Sequence, residues 1–260
     1  LFRSEVALKD PADWTIAGQP LKRLDTLEKL DGSLIYGADI QLPEMLVASI
    51  VDCPVMGGSL KGFDDTEALK MPGVKAVVPV KTQTGTDGVA VVGTSWWHAN
   101  EALKKLNIEW DLGPNAQMND ASITALLESG LDASEAFNGN WEGDVESALS
   151  DAVTRVEAIY KVPAQNHAPM EPMNATAHVT ENGKAAEIWV STQTQSLSIL
   201  GAAEFLETTP DKITLHPMYI GGGYGRRTLR RQKYVEDALF VSREIGRPVK
   251  VIWTREDDVK

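Results

Sequence analysis

One cysteine in 260 residues, Cys53, excludes an intrachain disulfide and a thiolate metal cluster, since both need more than one thiol. A lone cysteine usually behaves as a small buried apolar residue. Positive charge is also scarce: 25 Lys and Arg stand against 37 Asp and Glu, for a net charge of −12. A chain of that sign repels a phosphate backbone, so a general nucleic-acid binder is excluded. No apolar run approaches the roughly 18 residues of a membrane-crossing helix, and no membrane span is expected. The H-E-x-x-H pair of metalloproteases, the G-K-[ST] of a P-loop and a nucleophile elbow are all missing. The chain opens on Leu1 rather than Met. Its native start is therefore expected to have been removed or to lie upstream, and the compartment stays open.

What is present is ordinary globular protein, 43% hydrophobic and 24% charged, long enough for one large domain or two modest ones. Residues 1–25 are polar, carry Pro11 and Pro20, and read as an arm. From 26 to 112 the pattern is a compact α/β unit. Strand signals fall at Leu34–Gly37, Met45–Val51, Val74–Val80 and Val89–Val92, and a helix places Trp97, Ala102, Leu103 and Leu106 on one face. Ile108 and Trp110 point inward from a further strand. Residues 113–143 read as a linker or insertion, within which Asp120 is expected to cap a short helix bearing Ile123, Leu126 and Leu127.

From 144 to 260 a second unit begins. A helix starts at Asp144, and Val156, Ala158, Tyr160 and Val162 alternate as a strand. Ala175–Val179 and Ala186–Val190 flank a turn at Glu181-Asn182-Gly183. Leu197, Leu200, Ala203 and Leu206 predict an amphipathic helix. A strand over 213–220 leads into Gly221-Gly222-Gly223-Tyr224-Gly225-Arg226-Arg227, and a helix follows with Tyr234, Val235, Ala238, Leu239, Val241, Ser242 and Ile245 on one face, closed by Gly246 and Pro248. Val249–Trp253 is the last strand. Overall the fold class reads as α+β.

The glycine loop is the most informative stretch. Its glycines permit positive φ and close approach of backbone N–H groups to a ligand, and the two arginines offer forked donors for an anion. Against that stands the plain tight turn. A dinucleotide fingerprint fails, because its third glycine position holds Arg226. Two more segments precede the loop. Asn166-His167-Ala168-Pro169-Met170-Glu171 has His and Glu four apart, but its prolines forbid a helical metal pair, so both residues read as structural or wall-lining. In Ser191-Thr192-Gln193, the glutamine amide could donate to an oxygen, while Ser191 or Thr192 could cap the next helix.

Those three segments in order, with Gly18-Gln19-Pro20, Tyr36-Gly37-Ala38-Asp39, Gly246-Arg247-Pro248 and Trp253-Thr254-Arg255-Glu256-Asp257, carry a resemblance. The chain resembles the molybdenum-binding subunit of the xanthine dehydrogenase/aldehyde oxidase family, of the isoquinoline 1-oxidoreductase β-subunit type. The resemblance implies an α/β hammerhead domain at 26–112 and, at 144–260, the first part of a mixed α+β molybdopterin-binding domain. It implies a molybdenum hydroxylase that oxidises an aldehyde or N-heterocycle with water-derived oxygen, using molybdopterin, in the cytosine dinucleotide form usual in bacteria. By carry-over, Gln193 would hydrogen-bond an oxo ligand, backbone N–H groups at Gly222, Gly223, Tyr224 and Gly225 would hold the cofactor, and Arg226 would face pterin or phosphate. Tyr224 departs from the family's usual Phe.

The family's catalytic base is a Glu in a glycine-rich motif far downstream, expected beyond Lys260. The chain is therefore expected to be an N-terminal portion that cannot turn over alone. Its expected partners are the remaining portion of the molybdenum subunit, an iron–sulfur subunit or cytochrome as electron acceptor, and a small-molecule substrate. The alternative is a non-catalytic module that binds a partner or small anion.

Overall fold

Valine-rich runs supply the middle of the molecule. In the computed structural model, which describes residues 7–82, 86–131, 137, 139 and 142–259, they become strands β1 (Leu46–Asp52), β3 (Val74–Val80) and β4 (Gly88–Gly93). β-Branched side chains suit a pleated surface packed on both faces, and every residue of β4 is buried. Four more strands complete the sheet: β6 (Asn174–Thr180), β7 (Ala185–Val190), β8 (Ile213–Pro217) and β9 (Val249–Ile252). The order is β3-β4-β1-β9-β6-β7-β8, with β2 (Ser59–Asp64) and β5 (Asn107–Asp111) forming a separate pair. One sheet thus crosses the 113–143 segment: β1 lies parallel to β9, with Leu46 opposite Val249.

Helices cover both faces. On one, α7 (Lys233–Ile245) packs over β6 and β9. Its Ala238, Leu239 and Val241 join Ala48, Ile50, Ala90, Val92, Ala177 and Val251 in the main core. On the other face of β4, Val91 meets Ala99 and Ala102 of α3 (Trp96–Leu103). Alternate residues of one strand thereby serve two cores. Gln195–Phe205 forms α6, against β8. The short helices are α1 (Thr26–Asp31), α2 (Thr66–Leu69), α4 (Asp120–Ser129), α5 (Val145–Ser150) and α8 (Arg255–Asp258).

Several expectations need correction. The strand over 156–162 does not form. Among the described residues these have no sheet partners, and Val156, Tyr160 and Val162 are exposed. An alternating pattern makes a strand only where a neighbour supplies the ladder. Leu34–Gly37 contributes a single bridge, Tyr36 to Tyr219, before turning into a short 3-10 helix. Trp97 points to solvent, because the small residues Ala99 and Ala102 form the buried face of α3. The cap of α4 is Asn119, whose side chain accepts from Ser122 N–H; Asp120 is the first helical residue, and Leu126 and Leu127 are exposed. The helix after Asp144 and the hairpin at 181–183 are as expected, with Asn182 at φ 54° and Gly183 at φ 89°. Of the polar 132–143 stretch, most lies outside the described residues.

Candidate cofactor-binding site

Strand direction decides where the chemistry gathers. β1, β7, β8 and β9 run one way and β6 the other. Residues 191–194, 218–232 and 253–258, which leave strands, therefore meet residues 166–173, which enter one, at a single end of the sheet. Sequentially distant segments converge there, as they do at the strand ends of open sheets generally.

The frame of this site is a buried ion pair. Arg227 is fully buried, and its guanidinium donates to the carbonyl oxygens of Gly222 (3.0 Å), Ser191 (3.2 Å) and Glu171 (3.0 Å) and to Glu171 Oε2 (3.1 Å). Glu171 Oε2 also accepts from Gly221 N–H at 3.0 Å, and Glu171 N–H donates to Gly221 O at 2.9 Å. Asn174 Nδ2 donates to Glu171 Oε1 at 3.0 Å. A buried charge survives only when paired and hydrogen-bonded, and both conditions hold for Arg227. The expectation that Arg227 offers itself to an anion is therefore corrected: its donors are spent on Gly222, Ser191 and Glu171. Glu171 reads as structural, as its prolines suggested. His167 does not join it; His167 is exposed and lines an open cleft of about 420 Å³ with Gln165, Asn166 and Tyr224.

The loop itself is strongly bent. Gly222 (φ 102°) and Gly225 (φ 98°) take conformations open to glycine, and Tyr224, 78% exposed, adopts φ 52°. A non-glycine residue in the left-handed region is sparsely populated and tends to mark functional turns. Gly223 is pressed against Gln193: a Cβ there would lie 2.5 Å from Gln193 Oε1.

Gln193 is held from both ends. Its N–H donates to Arg227 O at 3.0 Å, and its Oε1 accepts from Gly225 N–H at 3.2 Å and Arg227 N–H at 3.4 Å. With the oxygen turned to two amides, the NH2 edge faces the opposite way, and the residue is exposed. Gly225 N–H is consequently used inside the protein rather than left for a ligand. The N–H groups of Gly222, Gly223 and Tyr224 are different: among the described residues none accepts from them. Three successive unclaimed amides at a bend form a nest for an electron-rich group.

Arg226 points elsewhere. Its Nε donates to the buried Asp258 at 3.1 Å, and its guanidinium sits 5.6 Å from the centre of the Trp253 ring. Arg226 is partly exposed there and lines a cavity of about 360 Å³ with Cys53, Leu229, Lys233 and Trp253. In that wall Lys233 bridges Asp52 (2.9 Å) and Asp237 (2.8 Å), and Trp253 Nε1 donates to Asp237 at 3.1 Å. Burial, reinforced by Asp237, pushes the Asp52 carboxyl up to about 7. Burial likewise raises Asp237, while the two carboxylates outweigh burial and raise Lys233.

Neither Ser191 nor Thr192 caps α6, whose N-cap is Thr194. Ser191 Oγ donates to Tyr219 O at 2.8 Å. Thr192 sits buried with Ser198 and Gln232, whose Nε2 donates to Thr192 Oγ1 at 3.1 Å. Sequence reasoning missed Gln232, which also donates to Arg227 O and Leu229 O and so fastens the loop's far end. Its only signal was a polar residue immediately before an apolar helix.

Comparison with known proteins fits this frame. A family profile described as a molybdopterin cofactor-binding domain matches residues 131–260. Isoquinoline 1-oxidoreductase subunit beta of Brevundimonas diminuta is 32% identical over 98% of this chain and 33% of its own length. A membrane-bound aldehyde dehydrogenase of Gluconacetobacter polyoxogenes, whose name carries pyrroloquinoline-quinone, is 30% identical over 99% of this chain and 34% of its own. Quinoline 2-oxidoreductase from Pseudomonas putida 86 superposes with a TM-score of 0.68 at 21% identity, over 92% of this chain and 34% of that one. The chain spans about a third of the length of the relatives it matches. Its profile match covers the glycine loop, Gln193 and the Glu171–Arg227 frame, and the chain belongs to the molybdenum-binding subunits of the xanthine dehydrogenase family.

Proposed function

We propose that this chain holds one side of a molybdopterin cofactor within a molybdenum hydroxylase that oxidises an aldehyde or an N-heterocycle. The observation that carries the reading is the nest of unclaimed N–H groups at Gly222, Gly223 and Tyr224, with the Gln193 NH2 edge turned outward beside it. The fit to the cofactor rests on donor chemistry: neutral, fixed N–H groups suit the sulfur and oxygen acceptors of such a group. Metal ligation by protein side chains is not called for, and among the described residues no cluster of His, Cys, Asp or Glu is placed to hold a metal. When bound, the cofactor supplies a two-electron redox centre that transfers water-derived oxygen to the substrate carbon.

The chain's own residues do the positioning. Arg227 and Glu171 fix the loop so that its amides are aligned before any ligand arrives, and preorganised donors lose no energy reorienting. Gln193 contributes an amide donor whose orientation is set by Gly225 and Arg227. Arg226, tied to Asp258 and stacked near Trp253, keeps part of its guanidinium at the cavity and would meet the pterin or phosphate end of a cytosine dinucleotide form. The domain division at 113–143, a hammerhead unit before a cofactor-binding unit, belongs to the same proposal. So do the need for further polypeptide bearing the catalytic base and the iron–sulfur or cytochrome electron acceptor. The relatives' threefold greater length supports that need. Among the described residues no helix is long and apolar enough to cross a membrane.

Metal and pterin analysis of the protein isolated with its native partners is the test. Near-stoichiometric molybdenum with a released pterin is expected. A stable complex holding neither, or holding a quinone instead, overturns the reading.

A further inference from the structure

Gln232 occupies the N-cap position of α7, yet its side chain makes no capping bond. That position ordinarily belongs to Ser, Thr, Asp or Asn, whose short side chains close the first turn. The longer amide reaches back instead, into the connection between the glycine bend and the helix. It is buried, and its Nε2 lies 2.9 Å from Leu229 O, 3.1 Å from Arg227 O, 3.1 Å from Thr192 Oγ1 and 3.2 Å from Ser198 Oγ. Its Oε1 accepts from the Tyr234 hydroxyl at 2.6 Å. Two of those neighbours are carbonyl oxygens, which only accept, so the NH2 end must face them and the amide has one orientation. A local preference is given up here for a fully used buried amide, and such departures concentrate at functional sites.

Gln193 is set between the groups that meet at this amide. The Arg227 peptide holds it from both sides: the carbonyl accepts from Gln193 N–H at 3.0 Å and from Gln232 Nε2, while the N–H donates to Gln193 Oε1 at 3.4 Å. Thr192, the residue before Gln193, accepts at its Oγ1 from Gln232 Nε2 and from Thr194 N–H at 3.2 Å. The backbone around Gln193 and the peptide that aims its side chain are therefore both fastened to one side chain. Gln232 is in turn fixed to α7, since its carbonyl accepts from Val235 N–H and Glu236 N–H. A path of hydrogen bonds thus runs from a helix packed on the sheet, through one amide, to the exposed Gln193. The unclaimed amides of Gly222, Gly223 and Tyr224 lie upstream of it, in the part of the bend braced by Glu171 and Arg227.

We propose that Gln232 is the positioning residue of Gln193, holding the Arg227 peptide and Thr192 so that the Gln193 NH2 edge keeps its aim at the cofactor. This rests on the reading that Gln193 offers that edge to the cofactor. Gln232 is buried behind the bend and acts only through the groups it holds. With an apolar side chain of similar length in its place, the Arg227 peptide loses a constraint, and the bond from Gly225 N–H to Gln193 Oε1 opens more often. A preorganised donor then becomes a mobile one, and its electrostatic effect weakens. The nest keeps its own frame, so holding the cofactor and aiming Gln193 are separate tasks of separate residues.

Hydrogen exchange resolved to the Gly225 amide, in the protein isolated with its native partners, tests the coupling whether or not cofactor is bound. Gln232→Met and Gln193→Ala are each expected to speed that exchange by about fivefold to tenfold, the loss of one net hydrogen bond, with β6 and β7 unaffected. In the Gln193→Ala background Gln232→Met is expected to add nothing, because both changes cut the same link. Additive effects overturn the proposal, as does an unchanged Gly225 amide in Gln232→Met. Gln232→Glu keeps the size and the acceptor for Tyr234 but sets an oxygen against two carbonyls; it is the second variant should Gln232→Met not fold, with the same outcomes. Where molybdenum is present, the paramagnetic resonance of the partly reduced metal is expected to shift in Gln232→Met in the same sense as in Gln193→Ala. A shift in Gln193→Ala alone overturns the proposal. Absence of molybdenum from the parent protein, with the coupled exchange intact, defeats the functional reading and leaves the positioning of Gln193 standing.

Discussion

At the scale of single residues, two neighbours in one loop do opposite jobs. Arg227 is a strut whose partners are all protein, and Gly223 is a gap that lets Gln193 lie flat against the bend. Arg227→Met leaves Glu171 buried without its cation and is expected to cost about 3–5 kcal/mol of stability. Gly223→Ala places a methyl 2.5 Å from Gln193 Oε1, pushing the amide off Gly225 and Arg227. Its expected signature is loss of molybdenum and pterin with a nearly unchanged melting temperature. Denaturant unfolding and metal analysis of the two variants separate the roles; equal cofactor content in Gly223→Ala and the parent protein would refute the second. The sequence made the loop and Gln193 legible, because glycines and a post-strand glutamine are local signals. It did not reveal which arginine is buried, because Arg226 and Arg227 differ only in what the distant Glu171 and Asp258 do to them.

Among elements, α6 shows where periodicity misleads. The pattern favours a face of Leu197, Leu200, Ala203 and Leu206; Ala203 and Leu206 are buried in the main core, but Leu197 is exposed, and the helix also buries Ser198, Gly201, Ala202 and Phe205. The helix is gripped from two sides. A Cβ on Gly201 would lie 2.0 Å from Arg230 O in the loop, while Phe205 enters the sheet core. Phe205→Ala is expected to cost about 3–5 kcal/mol, and Leu197→Ala about 1 kcal/mol at most, both read by denaturant midpoint. Similar losses would return the helix to the face that periodicity chose. α7 was legible in its apolar face, which meets one sheet, but not in its buried Glu236 and Asp237, which pair with residues outside the helix. The 156–162 pattern was read as a strand, but its ladder is missing among the described residues.

For the molecule as a whole, the charged wall at the sheet end sets a pH dependence. Asp52 keeps its proton up to about pH 7 in the fold, whereas its ordinary value is 3.8. Between those values the folded state binds more protons than the unfolded chain, so stability falls as pH rises across that window. Asp237 acts in the same direction. Asp52→Asn is expected to flatten the decline in melting temperature between about pH 4 and about pH 7. Parallel curves for the variant and its parent would show that Asp52 is not responsible.

The position of β9 carries one more consequence. It follows every other strand among the described residues, yet it lies between β1 and β6. During synthesis the ribosome has delivered β1 and the 174–180 hairpin arm long before Val249 emerges. The middle of the sheet stays open until then, and the insertion of β9 joins it to β1, some two hundred residues earlier, as Leu46 pairs with Val249. Such long-range closure is slow and leaves apolar edges exposed to aggregation in the interval. A nascent chain of this kind has reason to stay bound to a chaperone until residue 252 is out.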